Sequence, residues 1–469
     1  MSKKTERRRV VREELEGVSL RDKRRSKRAV AIGERLAEAP EASLPAAMGD
    51  RAWSEALYRH LASDSVTMDA LLKPHLERSA KRIAQEPVVY AVADTTDFVF
   101  SGASKREGLG RVTKKDQGFL AHFTLALRPD RTPVGLLGIE TWTRAPKKGD
   151  ASLWSRRNDD GRESLRWARN MKAVSERMGE HAAKLIHVAD REGDIYELLT
   201  ELTESKQRFI IRASQDRALV PMDDEDARRL FDAAQATPSA FELDVPLSAR
   251  TEKREPNRRR ANPARRARLA RLSFAARTVT LKRPNNRSAK LPRSVTVNVV
   301  HVFEAEPPAG EPPVEWLLLT SESIETNGDV EKVVAGYRVR WVIEEYFKAI
   351  KTGCAYESRQ LESAHTLQAL LAYTIVIAYA MLLMRSLSRE NRDEPAEVLL
   401  SSTQIVVLRA KVKRLPTRPT IREALLAVAG MGGHLKNNGD PGWRTLSKGW
   451  AKLLALEEGY ALALALAET

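Results

Sequence analysis

The chain contains a single cysteine, Cys354. That excludes an internal disulfide framework and makes a cysteine-built zinc site nearly impossible. A reducing compartment fits this usage. The opening residues, MSKKTERRRVVREELEG, have no apolar h-region, so they do not read as a secretory signal, and their glutamates argue against a transit peptide. The longest apolar run, Ala369 to Met384, is closed by Arg385 and falls short of the roughly 20 residues that span a bilayer. It reads as a buried helix, and no membrane partner is expected. There are no internal repeats, no zinc-finger or RNP motif and no clear helix-turn-helix pattern.

What is present is basic charge. Lys and Arg number 79 against 63 Asp and Glu, a net charge of +16 over 469 residues. Such a surplus points to nucleic acid, an anionic membrane or an acidic partner. It is concentrated in two places. Residues 250–293 hold sixteen basic and two acidic residues, and residues 1–28 hold twelve and five. The first stretch includes Arg258, Arg259 and Arg260, then Arg265, Arg266, Arg268 and Arg271. It reads either as a solvated loop or as a phosphate-contacting surface; the excess of Arg over Lys favours the second, because guanidinium forks match phosphate oxygens. Hydrophobic residues make up 42%, enough for real cores, and the length suggests two to four domains.

Residues 1–75 carry helical patterns. Trp53, Leu57 and Leu61 recur on one face, and Asp64-Ser65 is a candidate cap for a further helix through Met68, Leu71 and Leu72. Beyond Pro87 the character changes. VVYAVAD is a short strand ending at Asp94, and residues 97–101, 119–127 and 134–142 continue the strand pattern. Residues 161–178 follow as an amphipathic helix with Leu165, Ala168 and Met171 on one face. KLIHVAD is a strand ending at Asp190, Asp194 can cap the helix after it, and RFIIRA (208–213) is one more strand. This order suggests an α/β layer with helices packed on a central sheet. Residues 214–321 interrupt it as an inserted basic β subdomain. Residues 329–352 read as one long helix, and 364–469 as helices broken by Pro416, Pro419 and GMGGHLKNNGDPGW.

Two strands ending in Asp matter because open α/β sheets build sites at the carboxyl ends of their strands. A lone Asp there often only caps a turn. Two of them with a helix-borne Glu suit hard divalent cations, which take oxygen ligands and keep several waters. On the long helix Tyr337, Arg340, Glu344 and Lys351 are spaced 3, 4 and 7 apart and so share one face, while Glu345 falls on another. On spacing alone this stripe is equally a solvated face with ordinary ion pairs.

The pattern Y-x2-R-x3-E-x6-K formed by those four residues resembles the signature of bacterial insertion-sequence transposases that cut DNA through hairpin intermediates. ADTTD around Asp94 and VADREGDIYELL around Asp190 resemble that family's two aspartate motifs. WLLLTSESIET from Trp316, EEYFKAIKTG from Glu344, LRDKRRSKR near the N-terminus, and Gly432-Gly433, Trp443 and Trp450 near the end recur in order. The resemblance implies an RNase H-like catalytic core with an inserted β subdomain and helical N- and C-terminal domains. The expected boundaries are 1–75 for DNA-end binding, 76–213 and 322–363 for the core, 214–321 for the insertion and 364–469 for a dimerising helical domain.

The resemblance further implies that Asp94, Asp190 and Glu344 hold two Mg²⁺ or Mn²⁺ ions. Tyr337, Arg340 and Lys351 would grip phosphates, and Arg212 would stand at the active site. Trp316 would stack on a base at the hairpin, as against a plain core aromatic beside Leu317–Leu319. Arg25 and Arg28 would contact the transposon end. The expected partners are double-stranded DNA, both ends and target, and a second copy of the chain in a synaptic complex, with Ala369–Met384 and the C-terminal helices as the self-association surface. A cytoplasmic, nucleoid-associated location follows. The rivals are a simple metal-dependent nuclease and a non-catalytic DNA-binding derivative. Asp97, His122 and Cys354 are expected to be a surface, a core and a functionless residue.

Overall fold

The computed structural model describes residues 3–102, 105–112, 116–144, 162–221, 228–247, 265–390, 393–398, 400–435 and 441–467. The chain forms two compact units, each assembled from separated segments. The first comprises Met1–Gln85, Thr95–Lys148 and Trp341–Thr469; the second comprises Glu86–Asp94 and Gly149–Arg340.

In the first unit the N-terminal helices are α1 (Lys3–Leu15), α2 (Lys23–Glu38), α3 (Leu44–Met48), α4 (Arg51–Leu61) and α5 (Met68–Ala84). Side-chain caps start several of them: Asp22 accepts from the amides of Arg24 and Arg25, and Asp50 from that of Trp53. The cap of α5 is Thr67, not Asp64 or Ser65. A turn closed by the Val66 amide on the Ser63 carbonyl, 2.8 Å, delays the helix start.

The apolar run lies in α11 (Ala364–Glu390), a 27-residue helix. By length and composition it could cross a membrane, yet 83% of its apolar window is buried inside the protein. Helices α1 and α5 pack against it, with Tyr373, Ile375 and Val376 wholly buried. Ala369–Met384 is therefore a core, and the expectation that it forms a self-association surface is corrected: its apolar groups are already consumed within the unit. Helices α12 (Ser402–Lys411), α13 (Ile421–Met431) and α14 (Trp443–Ala467) enclose a satellite cluster around Leu400, Leu408, Val428 and Leu453. Strand β3 (Gln117–Leu127) pairs antiparallel with β2 (Gly110–Arg111) and β4 (Pro133–Trp142).

Strand β1 (Val89–Phe100) passes through both units. Its second half belongs to the first unit, where Phe98 and Phe100 pack with Phe119 and Tyr356. Its first half belongs to the second unit and runs parallel to β5 (Leu185–Ala189), which runs parallel to β6 (Arg208–Arg212). Beyond β6 the pairing turns antiparallel through β10 (Glu315–Thr320), β9 (Ser294–Phe303), β8 (Arg268–Lys282) and β7 (Phe241–Leu247). The segment 214–321 thus joins the sheet of β6 rather than standing apart. One apolar cluster unites Phe209 and Ile211 of β6 with Val279, Leu281 and Val297. Helix α6 (Arg166–Met178) covers it with Trp167 and Met171; Leu165, expected on that face, lies in the preceding 3-10 turn. Helices α7 (Tyr196–Glu204) and α8 (Leu230–Ala236) complete this layer.

The region 329–352 is not one helix. Helix α9 (Asn327–Val339) ends at Arg340, whose amide bonds the Tyr337 carbonyl three residues back at 3.1 Å. Helix α10 (Trp341–Lys348) then begins and passes into a π-type turn over Ala349–Gly353. The single helix expected over 329–352 is corrected accordingly, to two helices followed by a π-type turn.

Candidate active site

In the second unit Val89, Tyr90, Ala91 and Val92 of β1 lie opposite Leu185, Ile186, His187 and Val188 of β5. The same offset carried two residues on sets Asp94 opposite Asp190. Neighbouring strands stand about 4.7–4.9 Å apart, and facing residues of a parallel pair share a face. The two carboxylates are therefore neighbours by construction. Asp94, expected to end its strand, instead sits inside β1, which continues to Phe100. Asp190 does end β5. Its Oδ1 accepts the Glu192 amide at 2.8 Å and caps the turn Arg191–Gly193. A Cβ on Gly193 would meet the Ala189 Cβ at 2.6 Å, so that turn requires glycine.

Cations gather around this pair. Arg340 donates from Nη1 to Asp94 Oδ2 at 3.0 Å, and both groups are largely buried. Arg212 donates to the Glu315 carbonyl at 3.0 Å. Burial pushes its guanidinium pKa down; Tyr337 acts against that, and the positive charges of Arg191 and Arg340 add to the lowering. Tyr337 is buried, with the Trp316 ring 6.0 Å from its own and tilted by 59°. Sequence reasoning missed Arg191, although it follows Asp190 directly. It also misread Asp194. That carboxylate does not cap α7. It is wholly buried against Arg217 and accepts the amides of Ser214 and Gln215 at 2.7 and 2.8 Å, tying the strand exit after β6 to the Asp190 turn.

In the first unit Glu344 stands on α10, one turn after Arg340 in the chain. Lys351, expected on phosphate, donates to Asp97 Oδ1 at 3.2 Å, lies 3.6 Å from Glu357 and stands 5.6 Å over the Phe98 ring. Asp97 is accordingly a paired strand residue, with half its side chain exposed. His122 is fully buried with Nδ1 2.9 Å from the Thr95 hydroxyl, and burial pushes the Cys354 thiol up to about 12. Arg25 contacts the Ser65 hydroxyl, while Arg28 is exposed on α2. Arg258, Arg259 and Arg260 lie outside the described residues. Two other arginines of that basic stretch are neutralised: Arg268 by Glu304 and Glu311, and Arg271 by Glu242.

Among the described residues no group of three or more His, Cys, Asp or Glu stands at metal-holding spacing. The second unit supplies two adjacent aspartates, and two hard oxygen donors at one level are the donor type that Mg²⁺ and Mn²⁺ take. That pair fits a divalent cation in chemistry.

Residues 7–66 match a family model described as transposase DNA-binding, and residues 148–381 match one described as the transposase DDE domain. The chain belongs to the DDE transposases. The matched domain includes Asp190 and Glu344, and it implies an RNase H-like core. A solved synaptic complex of piggyBac transposase with hairpin DNA is 10% identical, with a TM-score of 0.33. That match covers 68% of this chain and 52% of that one, so the chain spans about half of that protein.

Proposed function

We propose that this transposase is a metal-dependent cut-and-paste enzyme of the hairpin-forming bacterial insertion-sequence type. The observation that supports the reading is the register of β1 and β5, which carries Asp94 and Asp190 to one level, with Arg340 bonded to Asp94 and Arg212 within the field of Arg340 and Arg191. Asp94, Asp190 and Glu344 would hold two Mg²⁺ or Mn²⁺ ions. Such ions, when bound, supply Lewis acidity to the attacking and leaving oxygens of phosphoryl transfer.

The remaining work falls to the chain's own groups. Arg340 and Arg212 orient the scissile phosphate, since forked guanidiniums bind its oxygens at two points. Tyr337 supports Arg212 through a side-chain hydrogen bond, and Lys351 exchanges its carboxylates for phosphate when DNA enters. Water attacks one strand at the element's end. The freed 3′-OH attacks the opposite strand to close a hairpin, a second water opens it, and the 3′-OH then joins target DNA. Trp316 takes up a base unstacked at the hairpin tip. Arg25 and Arg28 contact the transposon end, and Arg258, Arg259 and Arg260 add phosphate contacts. The partners are transposon ends, target DNA and a second copy of the chain, in a nucleoid-associated, cytoplasmic setting. With α11 spent in the core, the self-association surface is the far end of α14, where Leu462, Leu464 and Leu466 are exposed.

Single-turnover cleavage of an end duplex, beside a gel shift in the same buffer, tests the reading. Asp94→Ala, Asp190→Ala and Glu344→Ala should each abolish cutting and leave end binding intact. Wild-type rates in any one of them remove that residue from the triad. A strand-transfer assay with a pre-cut end separates a transposase from a nuclease.

A further inference from the structure

Glu345 follows the proposed metal ligand Glu344 directly and is tied into the first unit more heavily than any role yet described requires. Its Oε2 accepts Arg385 Nη1 of α11 at 2.6 Å and the indole Nε1 of Trp443, the first residue of α14, at 3.1 Å. Its Oε1 accepts Lys348 Nζ at 2.8 Å. The Arg385 guanidinium also lies 4.7 Å from the Trp443 ring centre, so the three side chains form one stacked and hydrogen-bonded node. Burial works against ionisation of Glu345, but the bond from Lys348 and the charge of Arg385 outweigh it, holding the carboxyl below its usual range.

Helix α10 needs such an anchor. It has eight residues and is interrupted at both ends, by the break at Arg340 and by the π-type turn from Ala349. Its rotation about its own axis is therefore set mainly by side chains. Ile343 and Tyr346 are wholly buried, with the Tyr346 hydroxyl on the Ile375 carbonyl at 2.9 Å. Glu345 adds the polar contact that reaches beyond α11 to α14. Successive residues of a helix point about 100° apart, so a helix that turns to follow Glu345 turns Glu344 with it.

We propose that Glu345 is a positioning residue that fixes the rotation of α10 through Arg385 and Trp443, and so makes the start of the C-terminal helix part of the scaffold that aims Glu344. This rests on the transposase reading above. Geometric errors of about 1 Å at a reacting centre can cost on the order of a hundredfold in rate. A misaimed ligand also weakens its metal.

Two mild variants test it. Glu345→Gln keeps volume and weakens the Arg385 contact. Trp443→Phe keeps an aromatic ring beside Arg385 and removes only the indole donor. Both should melt within a few degrees of wild type and bind end DNA normally. Single-turnover cleavage should fall roughly ten- to hundredfold in Glu345→Gln and less in Trp443→Phe. The Mn²⁺ concentration for half-maximal cutting should rise several-fold in both. A purely structural residue would lower melting and end binding without moving that midpoint. Folded variants with the wild-type rate and midpoint overturn the proposal. Hydrogen exchange supplies a readout without catalysis: amides of α10 should exchange faster in Trp443→Phe while those of α2 do not change. If the wild type cuts no end in either metal, the transposase reading fails. Exchange then decides the coupling alone, and unchanged α10 exchange overturns it.

Discussion

An imidazole buried without a countercharge resists protonation, and His187 in β5 is wholly buried. Burial pushes its pKa down to about 4, against a small opposing effect from Gln207. His60 is held at about 4 by burial and then by the charges of Arg25 and Arg28. A folded pKa below the unfolded value near 6.5 means that the unfolded chain binds more protons between the two. Stability from these groups is full above pH 6.5 and is lost as pH falls toward 4, by about 3 kcal/mol for His187. Urea midpoints measured from pH 7 to pH 4 should decline over that window, and His187→Leu should decline less steeply. An equal decline would assign the acid sensitivity elsewhere. Trp316 is half-buried beside Tyr337, between the two readings its sequence allowed. Replacing it with Ala should leave the first nick nearly normal and slow hairpin closure by about ten- to a hundredfold, the rate equivalent of one base stack. Nicked intermediate would accumulate on a denaturing gel; equal slowing of both steps would make it a folding residue. Asp94 and Asp190 stand out in the sequence because each follows a short apolar run, VVYAVA or LIHVA. The role of Asp194 was not, because its partner Arg217 lies 23 residues away, in a segment without any motif.

At the level of elements, helical spacing hid the break between α9 and α10. Tyr337, Arg340 and Glu344 keep a helical interval on both sides of it, and neither Pro nor Gly marks the place. The strands were easier, since β3, β4, β5, β6, β9 and β10 are apolar runs between turn residues. The length of β1 was not legible: polar Asp94, Thr95, Thr96 and Asp97 look like a strand's end, yet the strand runs through them. Helix α9 lies so close to the sheet that a Cβ on Gly336 would stand 2.6 Å from the Tyr90 ring and 2.9 Å from Ile210 Cδ1. Gly336→Ala should therefore lift α9 from the sheet and cost about 1–3 kcal/mol. The same shift would draw Arg340 from Asp94, so cleavage should fall with stability. Urea unfolding and single-turnover cleavage on one preparation check both, and an unaffected midpoint would mean that the helix has room to spare.

At the level of the whole molecule the basic surplus is only partly available. Arg268 and Arg271 are held by acids, whereas Arg258, Arg259 and Arg260 are the part of that stretch proposed for DNA. Replacing those three with Ala should flatten the slope of log K against log salt by about 0.9 for each phosphate no longer neutralised, while preference for the true end survives. An unchanged slope would set the segment off the DNA. If the far end of α14 pairs two copies, mixing a Glu344→Ala chain with an end-binding mutant should restore cutting, and full-rate cleavage by a monomer in light scattering would end that proposal. The N-terminal helices carry a different consequence, in time rather than space. Val11 and Leu15 of α1 are buried in the finished protein, and α1 packs on α11. About 280 residues separate Ala84, where α5 ends, from Ala364, where α11 begins. A ribosome adding roughly 5–20 residues per second needs on the order of 15–60 s to cross that gap. The DNA-binding segment therefore leaves the ribosome long before α11, and a chain halted before Ala364 keeps the part of α1 that packs on α11 open to water and to chaperones.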